Sequence, residues 1–365
     1  MSTTHRMNRR TLLRSGVAAV LVTAGGVPMS ACSDPRASDR LAFLNWQDYI
    51  APDLLRDFER GTGIAVTYET YPSNDALARR VGLAQRTRRG GRSSTSFDLV
   101  VPSDNFVSRF RSAGALAELD HDQLPNLDNL APSFRNAAFD PGNRFSVPWA
   151  TGTTGIGYDR TVFGDPPGYD VFLDPAHRGR TTVLAETRDA FGLALLSLGE
   201  DANTRDPSTI RAAEERLIEM KGVIRGFESA GYLDGLAVGE LVAAHGYSSD
   251  ILQAAQRNPD IGYVLPPEGA LRWVDSMVVL IDAARPGNAH RFIDHYLEPE
   301  VSAGNATAVQ VDTGNAAVRE LLPAEMLDDP AIFPPDEVLD RLVFTADLGA
   351  DETLYDEAWE RVQEA

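Results

Sequence analysis

Three short stretches set an aromatic ring beside a carboxylate: Trp46-Gln47-Asp48-Tyr49, Tyr247-Ser248-Ser249-Asp250 and Trp273-Val274-Asp275. Each couples a π face to an anion, and alkyl amines need that combination. Their ammonium groups seek charge-assisted hydrogen bonds and cation–π contact, while the methylene spacers seek flat apolar walls. Taken singly, each stretch is also what a surface ion pair or a core tryptophan looks like. Together they point to a cationic ligand such as a diamine or triamine.

Other chemistries find less support. The six histidines, His5, His121, His177, His245, His290 and His295, include no pair at the i, i+4 spacing of a helical zinc motif, so no metal site is expected. Cys32 is the only cysteine, which rules out a disulfide within the chain and a thiolate cluster. There is no G-x-S-x-G elbow. The run TGTTGIG (151–157) lacks the Lys-Ser/Thr of a phosphate loop and reads as a turn between lobes. Glu186 and Asp189 could be offered as the paired carboxylates of a hydrolase. Three apart at a helix start, they suit gripping one ammonium and supply no second carboxylate across a scissile bond. No cofactor is expected.

The elements around these residues alternate. LAFLNW (41–46) reads as a strand and APDLLRDFERG (51–61) as a helix with Pro52 in its first turn. IAVTYET (64–70) alternates like a strand, SNDALARRVGLAQ (73–85) opens on a capping Ser or Asn, and FDLVV (97–101) suits a buried parallel strand. In open sheets of this β-α-β-α-β kind a ligand sits beyond the carboxyl ends of strands, which places Trp46 to Tyr49 and Ser103 to Phe106 beside it. After Pro148 a second set follows: strands at 155–160, 181–185 and 240–246, and helices from about Asp189 to Leu198 and from Pro207 to Lys221. A strand at 276–282 and one helical stretch over 288–306 then return the chain to the first lobe. Two crossings between lobes imply a hinge.

At 365 residues the chain is long enough for two lobes. Residues 1–31 form an export signal: Arg9-Arg10 resembles a twin-arginine motif, and a weakly apolar Gly/Ala-rich core follows. Met29-Ser30-Ala31-Cys32 resembles a lipobox, with Cys32 as the lipidated residue, and 32–40 make a short tether. The formal charge is -19, and losing the four arginines of the signal leaves -23 on the mature protein. Such a field repels nucleic acid and attracts cations. Basic charge is almost all Arg, and the Arg-rich stretch 86–94, lying in Gly and Ser without aromatic neighbours, reads as a solvated loop.

NWQDYIAPDLLRDFERGTGIAVTYETYPSNDAL (45–77) and FDLVVPSDNFV (97–107) carry a resemblance that continues through FSVPWATGTTGIGYD (145–159), AETRDAFGLALLSLG (185–199), HGYSSD (245–250), LPPEGALRWVDSMVV (265–279) and YLEPEV (296–301). Over nearly all of the mature chain it resembles the bacterial spermidine/putrescine-binding proteins, the substrate-binding components of polyamine ABC importers. The resemblance implies an α/β, two-lobed periplasmic-binding-protein clamp with a hinge between the lobes. Lobe 1 would comprise 41–148 plus about 277–312, and lobe 2 149–276 plus about 313–365. The protein would be an exported, lipid-anchored monomer on the outer face of the cytoplasmic membrane or in the periplasm. It would hand a polyamine, putrescine or spermidine, to permease subunits and indirectly to their ATPase.

Carried over by motif, Trp46, Asp48, Tyr49 and Ser103 line the first-lobe wall. Glu186 and Asp189 match two acids that grip amino groups, each here being the other kind of acid. Tyr247 stands where the family has tryptophan, Asp250 matches the acid of putrescine-preferring members, and Trp273 with Asp275 match a cleft Trp-x-Asp. Asn105 replaces an aromatic of spermidine binders, and Val311 lies where a tyrosine is usual. The alternatives are a clamp of the same fold for another cationic or amino-acid-like solute and, more remotely, an exported hydrolase.

Overall fold

The computed structural model describes residues 39–84 and 97–365. The export signal, Cys32, the tether up to residue 38 and the Arg-rich stretch 86–94 lie outside the described residues. Among the described residues ten strands form one sheet: β1 (Arg40–Trp46), β2 (Ala65–Tyr71), β3 (Leu99–Val100), β4 (Ser146–Asp159), β5 (Thr181–Val183), β6 (Gly226–Phe227), β7 (Ala243–Tyr247), β8 (Ile261–Val264), β9 (Ala270–Val279) and β10 (Leu342–Phe344). Their order is β2-β1-β3-β9-β4-β7-β5-β6, with β10 beside β9 and β8 beside β4. At one end β1 pairs in parallel with β2 and β3, and at the other β5 pairs in parallel with β6 and β7. The long antiparallel pair β4/β9 joins the two parallel units.

Each parallel unit has its own core, as helices packed on open sheets require. The first gathers Phe43, Phe58, Phe292 and Tyr296 around Trp149, whose ring stacks on Tyr296 at 4.1 Å. The second gathers Phe172, Phe191, Leu217 and Tyr355. Helix Glu352–Glu364 brings the C-terminus back to the second core through Tyr355, Ala358 and Val362, and Arg361 fastens it with two bonds to Glu214 at 2.9 and 2.8 Å.

β4 and β9 run from one core to the other, and the register slips between Pro148 and Ala150. Proline cannot donate to the ladder, and the slip falls on the first-core side of the strand, between Val147 and Ala150. A third crossing lies alongside: Thr151 N donates to Asp312 O at 2.7 Å. The helices Pro286–Tyr296 and Pro299–Val309 pack on the first core through Phe292, Ile293, Tyr296 and Val309.

Two local expectations need correction. TGTTGIG is the middle of β4, not a turn. Its glycines answer a different demand: a Cβ on Gly152 would lie 2.5 Å from the Trp273 ring, and one on Gly155 would lie 2.6 Å from the Val264 carbonyl oxygen. The stretch 288–306 is two helices, not one, because Pro299 has no N–H to continue the first and holds Glu298 in an extended conformation.

Candidate functional site

A cavity of about 530 Å³ lies between the two cores, and its wall contains all ten of Trp46, Asp48, Tyr49, Ser103, Glu186, Asp189, Tyr247, Asp250, Trp273 and Asp275. Strand ends supply the first wall. β1 ends at Trp46, whose ring lies 4.8 Å from that of Tyr71 and whose Nε1 donates to Val101 O at 2.9 Å; the Tyr71 hydroxyl donates to the same carbonyl. The chain then turns through Asp48 at φ 53, an αL conformation that Asp tolerates, leaving Asp48 exposed.

Trp273 and Asp275 sit inside β9, whereas the expected strand began only at residue 276. Two apart on a strand, they share a face. Trp273 is flanked by Tyr247 at 6.0 Å, edge to face, and by Tyr49 at 6.4 Å, and its Nε1 has no hydrogen-bond partner among the described residues. Asp275 is 6% exposed and accepts from Ser103 Oγ at 2.6 Å; Asn74 Nδ2 donates to that hydroxyl at 3.0 Å. Burial pushes the Asp275 carboxyl up to about 7, against the lowering effect of Ser103.

The second wall is built on two helix starts. Glu186 is the residue before helix Thr187–Ser197 and Asp189 lies in its first turn. Asp189 accepts from Thr154 Oγ1 at 3.1 Å and from the Tyr247 hydroxyl at 3.4 Å, yet burial still raises it to about 6. Glu186 is raised well above the usual range by burial and then by repulsion from Asp189. Asp250, in the first turn of helix Ser248–Arg257, accepts from Tyr232 Oη at 2.6 Å and is raised by burial.

The acids act on one another and on the rings between them: Asp189 raises Asp275 and Glu186, Asp48 raises Asp250, Tyr49 feels Asp275 and Asp250, and Tyr232 feels Asp250 and Asp189. Ten carboxylates and four guanidiniums line the cavity, and two of those guanidiniums are engaged: Arg188 bonds Glu352 at 2.9 Å and Arg257 bonds Asp234 at 2.5 Å. The excess is negative, which favours a cation.

Sequence reasoning missed Tyr71, Tyr232 and Arg272, which also line the cavity, and put Asp104 beside a ligand only as part of the stretch Ser103 to Phe106, without naming it a site residue. Asp104 follows Ser103 at the start of helix Asp104–Ser112, where an acid also serves the helix dipole, so nothing in its spacing marks it as part of a site. Burial raises it to about 8. Asn105 lines the cavity, whereas Val311 packs into the first core.

Residues 53–334 match the family described as bacterial extracellular solute-binding protein. The chain is 32% identical over 336 residues to the putrescine/cadaverine-binding protein of Pseudomonas aeruginosa, covering 88% of this chain and 92% of that one. It is 31% identical over 348 residues to the spermidine/putrescine-binding periplasmic protein of Escherichia coli, covering 94% and 97%. The solved structure of a putative spermidine/putrescine ABC transporter from Listeria monocytogenes superposes with a TM-score of 0.82 at 32% identity, over 89% of this chain and 99% of that one. Fold, cavity and relatives agree: the chain belongs to the bacterial extracellular solute-binding proteins, among the spermidine/putrescine-binding proteins of ABC importers.

Proposed function

We propose that this chain captures a polyamine, putrescine or spermidine, between its lobes and presents it to the permease subunits of an ABC importer. The observation that carries the reading is the excess of carboxylates over guanidiniums in a cavity walled by aromatic rings. An α,ω-diamine suits it: ammonium groups for the acids and methylenes for the rings. Asp275, Asp189 and Glu186 take one ammonium and Asp250 the other, through charge-assisted hydrogen bonds worth ~1.5–3 kcal/mol each, while exposed Asp48 adds a weaker, screened attraction. Trp46, Tyr49, Tyr247 and Trp273 flank the spacer, and Ser103 orients Asp275.

Closure follows from the same charges. Burying several carboxylates together is unfavourable when the cleft is empty, which favours the open form. A polycation removes the repulsion and selects the closed one, whose outer surface the permease reads. Lobe 1 is 41–148 with about 277–312, and lobe 2 is 149–276 with about 313–365; β4 and β9 flex near Pro148. The N-terminal signal and lipobox support export and attachment through Cys32, with a monomer acting at the outer face of the membrane. Changing Cys32 to Ala releases or mislocalises the protein, and an unmodified mature N-terminus at another residue contradicts the anchor.

The test is thermal shift with putrescine, cadaverine, spermidine and spermine beside arginine and γ-aminobutyrate, with turnover followed in parallel. Stabilisation by the polyamines alone, unchanged ligand being recovered, supports the reading. Stabilisation only by the amino acids transfers the site to an amino-acid-like solute, and turnover makes the chain an enzyme.

A further inference from the structure

One guanidinium of the cavity wall is engaged by the protein itself, between two residues assigned to the ligand. Arg188 stands between Glu186 and Asp189 at the start of the helix Thr187–Ser197. Its Nη1 donates to Glu352 Oε1 at 2.9 Å and to Ala346 O at 3.1 Å, and its Nη2 donates to Asn203 Oδ1 at 2.9 Å and to Ala202 O at 3.3 Å. The guanidinium also lies 4.5 Å over the Tyr355 ring. The Arg188 and Glu352 side chains are 9% and 12% exposed. Desolvation offsets much of the attraction in a buried ion pair, so stability alone does not account for this arrangement. What a rigid fork of donors fixes is geometry.

The fork ties the helix start to the segment that leads from β10 into the C-terminal helix. That segment is fastened at its other end to the strand of the site, since β10 pairs with β9 over Ala270 to Arg272, immediately before Trp273. Asn203 grips the same segment, its Nδ2 donating to Phe344 O at 2.9 Å and its Oδ1 accepting from Ala346 N at 2.8 Å. Glu352 in turn accepts from Leu348 N at 3.2 Å. A connected path therefore runs from the strand that carries Trp273 and Asp275, through β10 and Ala346, to Arg188 and the helix that carries Asp189. The helix also meets β9 at Gly192, where a Cβ would lie 2.6 Å from Leu271. Alone, that contact is a pivot. Asp189 lies about 4.5 Å of helix before it, and a tilt there would carry the carboxylate away from Thr154 Oγ1 and the Tyr247 hydroxyl, its two donors.

We propose that Arg188 is a positioning residue of the cleft: its fork onto Glu352, Ala346 and Asn203 holds the helix start so that Asp189 stands in register with Trp273 and Asp275, and thereby sets how tightly an ammonium is held. The inference rests on the polyamine reading of the cleft. A guanidinium repels an ammonium, so Arg188 strengthens binding only through the acid it positions.

Calorimetry with putrescine and spermidine tests it on the wild type, Arg188→Gln, Arg188→Lys, Asp189→Asn and the double variant Arg188→Gln/Asp189→Asn. Stoichiometry reports the folded fraction, and affinity is read on the folded protein. Both Arg188 variants are expected to weaken binding by about tenfold, although Arg188→Gln removes a like charge from the wall and Arg188→Lys keeps the charge without the fork. On the Asp189→Asn background Arg188→Gln is expected to cost no more than about twofold further. An Arg188→Gln or Arg188→Lys protein that binds as tightly as wild type overturns the role. So does a double variant weakened by the product of the single effects, the outcome of a merely structural defect. Glu352→Ala and Glu352→Gln approach the fork from its far end without touching Arg188: both lose the charge, but only Gln keeps an acceptor oxygen. Tighter binding by Glu352→Gln supports the role, and equal affinities overturn it. A wild type that binds neither amine overturns the polyamine reading, whereas failure of the variants alone leaves that reading intact.

Discussion

Asp275 and Asp48 border the same cavity in opposite surroundings. Asp275 sits inside a strand, 6% exposed, bonded to Ser103 and raised to about 7, whereas Asp48 stands exposed on a turn after β1. A charge in water is screened and already solvated, so pairing it with a ligand gains little. A buried charge without a partner is unfavourable, so the ligand that supplies one gains much. The comparison separates anchoring from steering: the buried acids set how tightly a cation is held, and the exposed acid sets how fast it arrives.

Removing the anchor has the largest expected effect. Asp275→Asn weakens polyamine binding by ~2–5 kcal/mol in calorimetry, since a desolvated ammonium is left without its counter-charge, while the thermal transition of the empty protein does not fall. If Asp275→Asn binds as tightly as wild type and Asp48→Asn does not, the anchor is Asp48 and not Asp275.

Protonation reaches the same groups without mutation. Asp275 near 7 and Asp189 near 6 are acids raised in the folded state, so they favour the folded protein at low pH, and that contribution is lost as pH rises through 6 to 7. The empty protein is therefore expected to melt lower at pH 8 than at pH 5 as far as these groups decide it. Ligand affinity runs the other way, falling by about a hundredfold from pH 8 to pH 5 if Asp275 alone must be ionised. Melting with and without spermidine across this range reads both signs, and a ligand-induced shift that is larger at pH 5 contradicts the scheme.

The aromatic wall comes next. Trp273→Ala costs ~0.5–2 kcal/mol of binding and removes the fluorescence change on ligand addition. Gly152→Ala disturbs the same ring from behind, because the added methyl would sit 2.5 Å from it. Its expected sign is weaker binding together with altered Trp emission in the empty protein. Unchanged emission would mean that the ring is not held by this contact.

The smallest effect belongs to Asp48. Asp48→Asn costs about 1 kcal/mol or less, with the change confined to the association rate and its salt dependence in stopped-flow measurements.

Much of this arrangement was legible in the sequence because its strongest local signals are periodic or punctuated. β1, β2 and the helix Pro207–Lys221 lie within a residue of where alternation and proline put them. The ten site residues named from the sequence all line one cavity: the aromatic–acid stretches could be read from spacing, whereas the roles of Ser103, Glu186 and Asp189 rest on the family resemblance. Asp104 was legible in position, within the stretch Ser103 to Phe106 expected beside a ligand, but not as a buried acid. An acid after Ser103 at a helix start looks like ordinary capping, and only tertiary packing buries it. The glycines of β4 were misleading for a related reason: glycine marks turns, but here it admits the Trp273 ring and the Val264 carbonyl, which are far away in sequence. The third crossing, Thr151 to Asp312, is a single bridge with no periodicity to announce it.

The most direct measurement of the central claim is calorimetry of polyamine binding at pH 6.5 in two buffers of different ionisation enthalpy. A cation held by buried carboxylates must first displace the protons that Asp275, Asp104 and their neighbours carry in the empty cleft. The account predicts release of about one proton or more per ligand bound, reduced in Asp275→Asn. Binding with no proton release, at an affinity unchanged between pH 8 and pH 5, would contradict it.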